Sequence, residues 1–263
     1  MIGLRQIFIW GNGIKNDLQE IKVTLGRIEQ RQCKGGEISK INDVEFKVFS
    51  QWGEDGIIQY LIHSLEIPNK IFVEFGVQNY EESNTRFLLM NDNWKGLVLD
   101  GSQEYIEYIK RDPIYWRYNL KAEKQFITKD NINNILINNG IQGDIGLLSV
   151  DIDGNDYWVW EAINVIQPRI VICEYNSIFG PKLKVTTPYQ EDFVRDKYHY
   201  SFLAYGASIN ALKDLAVSKG YRLVAGNKAG NNVFFVREDI LEKSGLQECL
   251  VEEAYRESQF REG

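Results

Sequence analysis

The chain has 263 residues, of which 44% are hydrophobic and 13% aromatic, and its formal net charge is −7. This length and composition exclude a disordered chain and provide for one packed domain with an appendage. The acidic balance argues against a nucleic-acid partner.

The cysteines and the apolar runs bear on the compartment. Cys33, Cys173 and Cys249 are odd in number and widely spaced, which fits neither a disulfide framework nor a zinc site. We therefore expect free thiols and a cytoplasmic protein. No run of about 20 apolar residues is present, so the sequence predicts no membrane-spanning helix.

Residues 1–33 carry the heptad pattern of a coiled coil. Apolar residues alternate at spacings of three and four, with one break at Gly11, at positions Leu4, Ile7, Ile14, Leu18, Ile21, Leu25 and Ile28. Two interpretations stay open. The helix pairs with a second copy of the chain, or it is one amphipathic helix packed on its own domain, since short seams are marginal alone.

Residues 34–48 predict a linker, because glycines and polar residues are frequent there. Residues 49–263 then form the main domain. Its first helix is predicted to start within 49–56 and to end before Pro68. The charged tail, 238–260, is predicted to be helical and to pack at the surface.

From Ile71 the pattern alternates between strands and helices, which predicts a Rossmann-like parallel sheet with helices on both faces. The predicted strands are 71–77, 96–100, 124–128, 145–151, 170–175, 221–225 and 231–237. The predicted helices between them are 84–92, 103–110, 130–138, 157–165 and 208–219. The last two strands are separated by a connection too short to cross over, so they form an antiparallel hairpin.

The first strand carries the first candidate site residues. Glu74 is a carboxylate in an apolar strand and must have a partner, while Gly76 removes a side chain where the chain leaves the sheet. This combination suits a small ligand at a topological switch point. The next turn holds one glycine, unlike the Gly-x-Gly-x-x-Gly fingerprint of dinucleotide sites. Ser83, Asn84 and Thr85 then either cap a helix or bind a carboxylate.

Asp100 ends the second strand, directly before Gly101 and Ser102. An acid at this position can accept hydrogen bonds from both hydroxyls of a ribose, or it can cap the next helix. Ile127 and Thr128, in the predicted third strand, are candidates to contact an adenine.

The densest polar segment, 149–156, follows the fourth strand and reads Ser-Val-Asp-Ile-Asp-Gly-Asn-Asp. It is not an EF-hand calcium loop, because its glycine falls at position four and position twelve is Ala162. Adjacent strand ends would bring Asp151, Asp153 and Glu174 to one rim, where their oxygens suit Mg²⁺ holding a substrate oxygen. Caps and an Asx turn explain the same residues, so both interpretations stay open.

The connection 177–207 lacks strong periodicity and predicts a functional lid. It contains His199, a side chain that could deprotonate a hydroxyl near neutral pH, or an ordinary lid residue between two tyrosines.

Five segments together resemble the FkbM-like group of class I S-adenosylmethionine methyltransferases: 50–56 (Ser-Gln-Trp-Gly-Glu-Asp-Gly), 72–76 (Phe-Val-Glu-Phe-Gly), 83–85 (Ser-Asn-Thr), 99–100 (Leu-Asp) and 150–154 (Val-Asp-Ile-Asp-Gly). The resemblance runs from about Phe49 to Arg237. It implies a seven-stranded sheet of order 3-2-1-4-5-7-6 with the last strand antiparallel.

The resemblance also implies S-adenosylmethionine as the cofactor. The residues expected to bind it are Gln51, Glu74, Gly76, Ser83, Asn84, Asp100, Gly101, Ser102, Ile127, Thr128 and Asp151. Asp151, Asp153 and Glu174 are the ligands expected for Mg²⁺, if a metal is used. The sequence departs from the group in its single loop glycine and in Asp153, which stands where a glutamate is common.

We therefore expect an O-methyltransferase acting on a small molecule or a sugar-linked intermediate, with bacterial capsule or surface-polysaccharide biosynthesis as the setting that the resemblance implies. Asp151 would position the hydroxyl and His199 would be the base. Two other functions remain open. One is a catalytically silent S-adenosylmethionine-binding scaffold that works through its N-terminal helix. The other is a nucleotide-sugar oxidoreductase, against which the missing glycine fingerprint counts.

Overall fold

The structure, a computed structural model, describes residues 4–35, 38 and 40–257. Its strands form one sheet of order β3-β2-β1-β4-β5-β7-β6, in which β7 runs antiparallel to both of its neighbours. The strands are β1 Ile71–Phe75, β2 Lys95–Asp100, β3 Leu120–Lys124, β4 Gly143–Val150, β5 Ile166–Glu174, β6 Tyr221–Gly226 and β7 Asn232–Arg237. This topology confirms the expected Rossmann-like sheet of class I methyltransferase order.

Helices cover both faces of the sheet. They are α1 Leu4–Gly35, α2 Glu54–Ser64, α3 Arg86–Asp92, α4 Gln103–Arg111, α5 Pro113–Arg117, α6 Ile132–Asn138, α7 Asp156–Ala162, α8 Arg195–Tyr198, α9 Ile209–Ser218, α10 Glu238–Ser244 and α11 Val251–Ala254. Among the residues described, no helix combines the length and the apolarity needed to cross a bilayer.

The central strands are buried because their side chains alternate between two hydrophobic cores. Val73 and Phe75 of β1 pack in one core with Trp160 of α7. Phe72 packs in the opposite core with Trp94. Glu74 alternates to the face of Phe72 and is 4% exposed, so the carboxylate is buried within the fold.

The third strand is displaced from its prediction. It runs through Leu120–Lys124, whereas the sequence analysis assigned 124–128. The apolar pair Phe126 and Ile127 suggested a strand, but β3 is an edge strand in which only Leu120 and Ala122 are buried. The apolar pair follows the strand and is free to line a cavity. β5 also begins earlier than expected, at Ile166.

The C-terminal tail belongs to the core, which corrects the expectation of surface packing. α10 buries Ile240 and Leu241, and α11 buries Val251 and Ala254. A side chain at Gly226 in β6 would overlap the carbonyl oxygen of Ala254. The tail therefore packs directly against the backbone of the outer strand of the sheet.

The N-terminal helix α1 packs on α2 and α3, but not through its heptad stripe. Its contact face includes Val23, which is 7% exposed, and Gly26, whose missing side chain admits Val48 and Phe87. The side chains of Leu4 and Ile7 lie outside the described residues. The segment expected to be a linker, 34–48, is partly structured. α1 continues to Gly35, a 3₁₀ turn spans Ile41–Val44, and Val44 is buried.

Replacing two helical glycines by alanine should change stability in opposite directions. Gly56→Ala should lower the free energy of unfolding by about 3 kcal/mol, because the new Cβ would overlap the backbone of residues 44–46. Gly13→Ala is the matched control. No atom lies within 4 Å of a Cβ built there, so we expect a gain of up to about 1 kcal/mol. Urea unfolding measures both, and equal losses would contradict this packing.

Candidate functional site

A cleft opens at the carboxyl edge of the sheet above β1 and β4, where the strand order reverses direction. It consists of a main cavity of about 290 Å³ and an adjoining notch of about 100 Å³, and both are lined by Gly76, Gln78 and Asp151. The main cavity is also lined by Leu99, Asp100, Gly101, Tyr105, Gln125, Phe126, Ile127, Ile152, Asp153, Asn155 and Phe193. The notch is also lined by Gln51, Glu74, Phe75, Val77, Glu82, Ser83, Asn84 and Asn232.

Glu74 finds its partner in the loop that follows β1. Its Oε1 accepts a hydrogen bond from the backbone N–H of Asn84 at 2.8 Å, and its Oε2 accepts one from the N–H of Thr85 at 3.1 Å. The Thr85 hydroxyl also donates to Oε2. Burial raises the pKa of Glu74 to about 7, and these hydrogen bonds oppose that rise. The carboxylate therefore holds the loop 76–85 in place and forms one wall of the notch.

Gly76 is required by a close backbone approach. Its φ is +70°, and a Cβ there would overlap the carbonyl oxygen of Asp151 at the end of β4. A non-glycine residue would push the ends of β1 and β4 apart. Gly76 therefore allows the ends of β1 and β4 to approach each other where the main cavity and the notch adjoin.

Asp100 lies at the end of β2 and is 8% exposed. Its Oδ2 accepts from the backbone N–H of Gln78 and its Oδ1 from that of Ser102, both at 2.8 Å. Burial raises its pKa, and the two hydrogen bonds oppose the rise. Each oxygen keeps a further lone pair for a ligand in the main cavity. The Ser102 hydroxyl caps α4 by accepting from the N–H of Tyr105.

The opposite wall of the main cavity is apolar and aromatic. Tyr105, Phe126, Ile127 and Phe193 line it, and Phe126 is 52% exposed. Thr128 does not line it. Its backbone N–H and its hydroxyl exchange hydrogen bonds with Asn131, so it shapes the turn before α6.

The segment 50–56 acts mainly through its buried acids. Asp55 accepts three backbone N–H bonds, from residues 48 to 50, at 2.7–2.8 Å. The Glu54 Oε1 accepts from the side-chain amides of Asn227 at 2.6 Å and Asn232 at 3.0 Å. Gln51 is the residue of this segment that lines the notch.

Asn232 is a site residue that the sequence analysis missed. It is 4% exposed, and its Oδ1 has no hydrogen-bond partner. Its amide nitrogen is committed to Glu54, which fixes the orientation of the side chain. The position was not recognisable from sequence, because only the pairing of β7 with β5 places Asn232 opposite Glu174.

The acidic rim assembles as predicted. One carboxylate oxygen from each of Asp151, Asp153 and Glu174 lies within 4.8 Å of the others. Burial and mutual repulsion raise the pKa values of Asp151 and Glu174 well above their usual range. The Glu174 Oε2 is buried without a hydrogen-bond partner. A buried acceptor of this kind suits a proton, a cation or a donor group on a ligand.

Asp156, the last acid of the segment 149–156, is structural. Its carboxylate accepts from the backbone N–H of Ile152 at 2.7 Å and of Gly154 at 2.8 Å, which closes the loop before α7. This accounts for the expected turn role within the acidic segment.

The connection 177–207 folds over the rim. Phe193 lies against Gly154, and the Asn155 amide donates to the carbonyl oxygen of Gln190 at 2.7 Å. The Arg195 guanidinium donates to the Asp153 Oδ1 at 2.8 Å and stacks 3.7 Å from the centre of the Tyr205 ring. Arg195 and Phe193 are lid residues that the sequence analysis did not single out.

His199 is placed away from the cleft lining. It is exposed at the end of α8, where its Nδ1 lies 2.7 Å from the Ser201 hydroxyl and its ring stacks on Tyr200. Among the described residues, the walls of the main cavity and the notch do not include it.

Comparison with known proteins does not identify the function of this chain, so the function has to be inferred from the site. No family model and no curated protein matches the sequence. A solved S-adenosylmethionine-dependent methyltransferase from Clostridium acetobutylicum ATCC 824 is 12% identical, with a TM-score of 0.44 over 70% of this chain and 90% of that chain.

Two further structures are similar at the same level. The N-terminal domain of EvdMO1 with SAH bound is 10% identical, with a TM-score of 0.47 over 80% of this chain and 95% of that chain. A putative caffeoyl-CoA O-methyltransferase from Staphylococcus aureus is 11% identical, with a TM-score of 0.44 over 87% of this chain and 99% of that chain. Likeness of this size carries no argument about what this chain binds.

The raised pKa of Glu74 predicts a pH-dependent stability. The folded chain retains a proton on Glu74 up to about pH 7, whereas an unfolded glutamate releases it near pH 4.5. The free energy of unfolding should therefore fall as pH rises through this window. Glu74→Gln should reduce that fall between pH 5 and pH 8, as measured by urea unfolding at several pH values.

Glu104→Gln, at an exposed position of α4, is the matched control and should keep the slope of the unsubstituted chain. An identical slope for Glu74→Gln would contradict the assignment of that proton uptake to Glu74.

Proposed function

We propose that the chain is an S-adenosylmethionine-dependent O-methyltransferase. The single observation that carries the proposal is the charge of the cleft. Glu74, Asp100 and Asp151 line it, and the nearby backbone N–H groups already donate to two of these carboxylates. Such a cleft favours a ligand with positive groups, because a nearby cation stabilises the ionised forms of Glu74 and Asp151, whose pKa values burial raises. S-adenosylmethionine carries a sulfonium and an ammonium.

The same observation disfavours the nucleotide-sugar oxidoreductase. A pyrophosphate needs free backbone N–H groups and a glycine-rich turn. Here the N–H groups of Gln78 and Ser102 serve Asp100, and those of Asn84 and Thr85 serve Glu74. A dianion would also oppose the ionisation of the three acidic side chains Glu74, Asp100 and Asp151.

The two parts of the cleft match the two ends of the cofactor. In the main cavity, Asp100 would accept from the ribose hydroxyls, and the apolar wall of Phe126 and Ile127 would contact the adenine. In the notch, the Asn232 Oδ1 would accept from the ammonium. Gln51 and Ser83 carry side-chain donors for the carboxylate.

The chemistry asks little of the protein beyond alignment and proton removal, because the sulfonium methyl is already a good electrophile. Asp151 and Glu174 are the favoured base. They lie at the rim beside the notch, and burial together with mutual repulsion raises their pKa values, which favours proton uptake. His199 is the weaker candidate, because it is exposed on the lid.

Mg²⁺ is a narrower proposal. Asp151, Asp153 and Glu174 supply three oxygens of suitable type, and the unpartnered Glu174 Oε2 fits a cation. The metal would polarise the acceptor hydroxyl. Asp153 already forms an ion pair with Arg195, so this ion pair has to break before Asp153 can bind a metal.

The acceptor that we propose is a hydroxyl of a small molecule or of a sugar-linked intermediate, in bacterial capsule or surface-polysaccharide biosynthesis. The support for this setting is the motif resemblance. The three cysteines are unpaired, which supports the cytoplasm as the compartment. A silent scaffold remains the second candidate, favoured by the exposed heptad stripe on α1.

Cofactor binding should depend on Asp100. S-adenosylhomocysteine should raise the melting temperature of the unsubstituted protein, whereas NAD should not. Asp100→Ala should weaken S-adenosylhomocysteine binding at least about tenfold, because hydrogen bonds to a carboxylate are lost. Asp130→Ala removes an exposed aspartate and is the control. A shift with NAD alone would favour the oxidoreductase instead.

Turnover should depend on Asp151 more than cofactor affinity does. We expect Asp151→Asn to lower the methyl transfer rate about a hundredfold or more, while the Kd for S-adenosylhomocysteine stays within about threefold. Single-turnover transfer from labelled S-adenosylmethionine, followed with pathway intermediates as acceptors, measures the rate. Unchanged turnover would remove Asp151 from the mechanism.

Adding EDTA to the same assay distinguishes the two roles proposed for the acidic rim, which are general base and Mg²⁺ ligand. If the unsubstituted enzyme keeps its rate in EDTA, the base role stands and the metal proposal fails. Loss of rate that Mg²⁺ restores supports the metal.

A further inference from the structure

α1 has two faces with different surroundings. One face is fixed to the chain's own domain: Val23 is buried there, the Lys15 ammonium lies 2.6 Å from Glu81, and Arg27 donates to the Asn91 side chain at 2.8 Å. At 3.6 residues per turn, Val23 lies about 140° around the helix from Leu18. The heptad stripe therefore lies off the packed face of the helix, although Gly11, Ile14 and Leu18 border a cavity of about 340 Å³ that Phe49, Glu81 and Arg86 also line.

The stripe is exposed over its whole described length. Its aliphatic residues and their exposed fractions are Ile14 40%, Leu18 55%, Ile21 55%, Leu25 56% and Ile28 44%. Trp10, at the edge of the stripe, is 71% exposed. A continuous apolar stripe of this kind on a packed domain marks an interaction surface, and alternate spacings of three and four are those of a coiled-coil seam.

The first part of α1 contacts the domain through the Lys15 ammonium, but its two glycines are unpacked. Cβ atoms built at Gly11 and Gly13 would meet no atom within 4 Å. Two unpacked glycines in a helix cost about 1 kcal/mol each relative to alanine, and isolated helices of this length are marginal. A second helix against the stripe would supply the missing packing.

We propose that α1 pairs with α1 of a second copy of this chain, as a parallel two-stranded coiled coil along the stripe from Gly11 to Ile28. This proposal is independent of the methyltransferase assignment. Each domain contacts its own helix at Val23 and along the flank of Lys15 and Lys22, so a two-fold axis along the pair places the two domains on opposite sides.

Charge selects the parallel orientation. In a parallel pair, Asp17 of each helix faces Lys22 of the other, because a flanking residue meets the one five positions later on its partner. In an antiparallel pair with the full stripe overlapped, Lys15 of each helix faces Lys22 of the other. The first arrangement pairs opposite charges twice, and the second opposes like charges twice.

The number of helices in the coiled coil is limited by the domain, which occupies one flank of the apolar seam. Leucine at the first and isoleucine at the second apolar heptad position favour higher oligomers in isolated coiled coils. Such assemblies also use the flank that carries Lys15 and Lys22. Here that flank meets the domain, with Lys15 bonded to Glu81 and Lys22 5.7 Å from the centre of the Phe49 ring. One partner helix is therefore accommodated.

The oligomeric mass tests the pairing. Light scattering after size exclusion should give the mass of two chains for the unsubstituted protein, and Leu18→Asp/Leu25→Asp should halve it. Asn16→Asp, at an exposed position off the stripe, is the control and should keep the dimer. A single cooperative melting transition would show that the variants fold, since Leu18 and Leu25 are 55% and 56% exposed.

A monomeric unsubstituted protein at all concentrations, a trimer or tetramer, or a dimer that survives the double substitution would overturn the proposal. So would a monomer that sediments with vesicles of anionic phospholipid, which would assign the stripe to a membrane surface.

Cross-linking tests the orientation. In a parallel pair, Leu25→Cys places two cysteines across the seam within disulfide range. Mild oxidation should then give a dimer on a non-reducing gel, while the unsubstituted chain, with Cys33, Cys173 and Cys249, should not. Cross-linking that requires Ile14→Cys together with Leu25→Cys would show an antiparallel pair.

Charge substitution gives a second measure of the same contact. Asp17→Lys should weaken the dimer about fivefold or more, because the introduced ammonium would oppose that of Lys22 on the second helix. The double substitution Asp17→Lys/Lys22→Asp should restore the affinity. Equal affinity in all three proteins would overturn the parallel register.

Discussion

The site depends on how one buried carboxylate is satisfied. Glu74 lies in the middle of an apolar sheet, and its oxygens are met by the backbone N–H groups of Asn84 and Thr85. Leaving such a group unpaired would cost several kcal/mol, so the loop after β1 has to fold back over the strand end. That folding brings residues 76–85 to the edge of the sheet and builds one wall of the notch.

The same hydrogen bonds set the charge of the cleft. Asp100 and Glu74 use the local backbone N–H groups, so few remain for an anionic ligand. The cleft is left with carboxylate oxygens, an amide oxygen on Asn232 and an apolar wall. A structural requirement of the loop thus becomes a preference for a cationic cofactor. Gly76 adds the geometry, because the strand ends meet only where a side chain is missing.

Much of this arrangement could be predicted. Strand ends of a parallel sheet meet at one edge, so Asp151, Asp153 and Glu174 were expected together, and they are together. The five helices predicted between the strands agree with the structure within three residues because their periodicity is strong, whereas the short helices α5 and α8 were not predicted. β3 was displaced because an edge strand buries only alternate residues, and Phe126 and Ile127 serve the cavity instead. The tail was misassigned because its buried side chains alternate with charges.

The sequence by itself determined the alternation of strands and helices, the closing hairpin, the acidic strand ends and the heptad, because these follow from local patterns of polarity, whereas the sheet order was implied by the motif resemblance. Only the tertiary structure decided which polar side chains are available to a ligand and which are committed to other contacts. It placed Asn232 beside Glu174 through strand pairing, committed Arg195 to Asp153, and moved His199 off the cleft lining. It also left the heptad stripe exposed. These outcomes depend on contacts between distant segments, which local patterns do not encode.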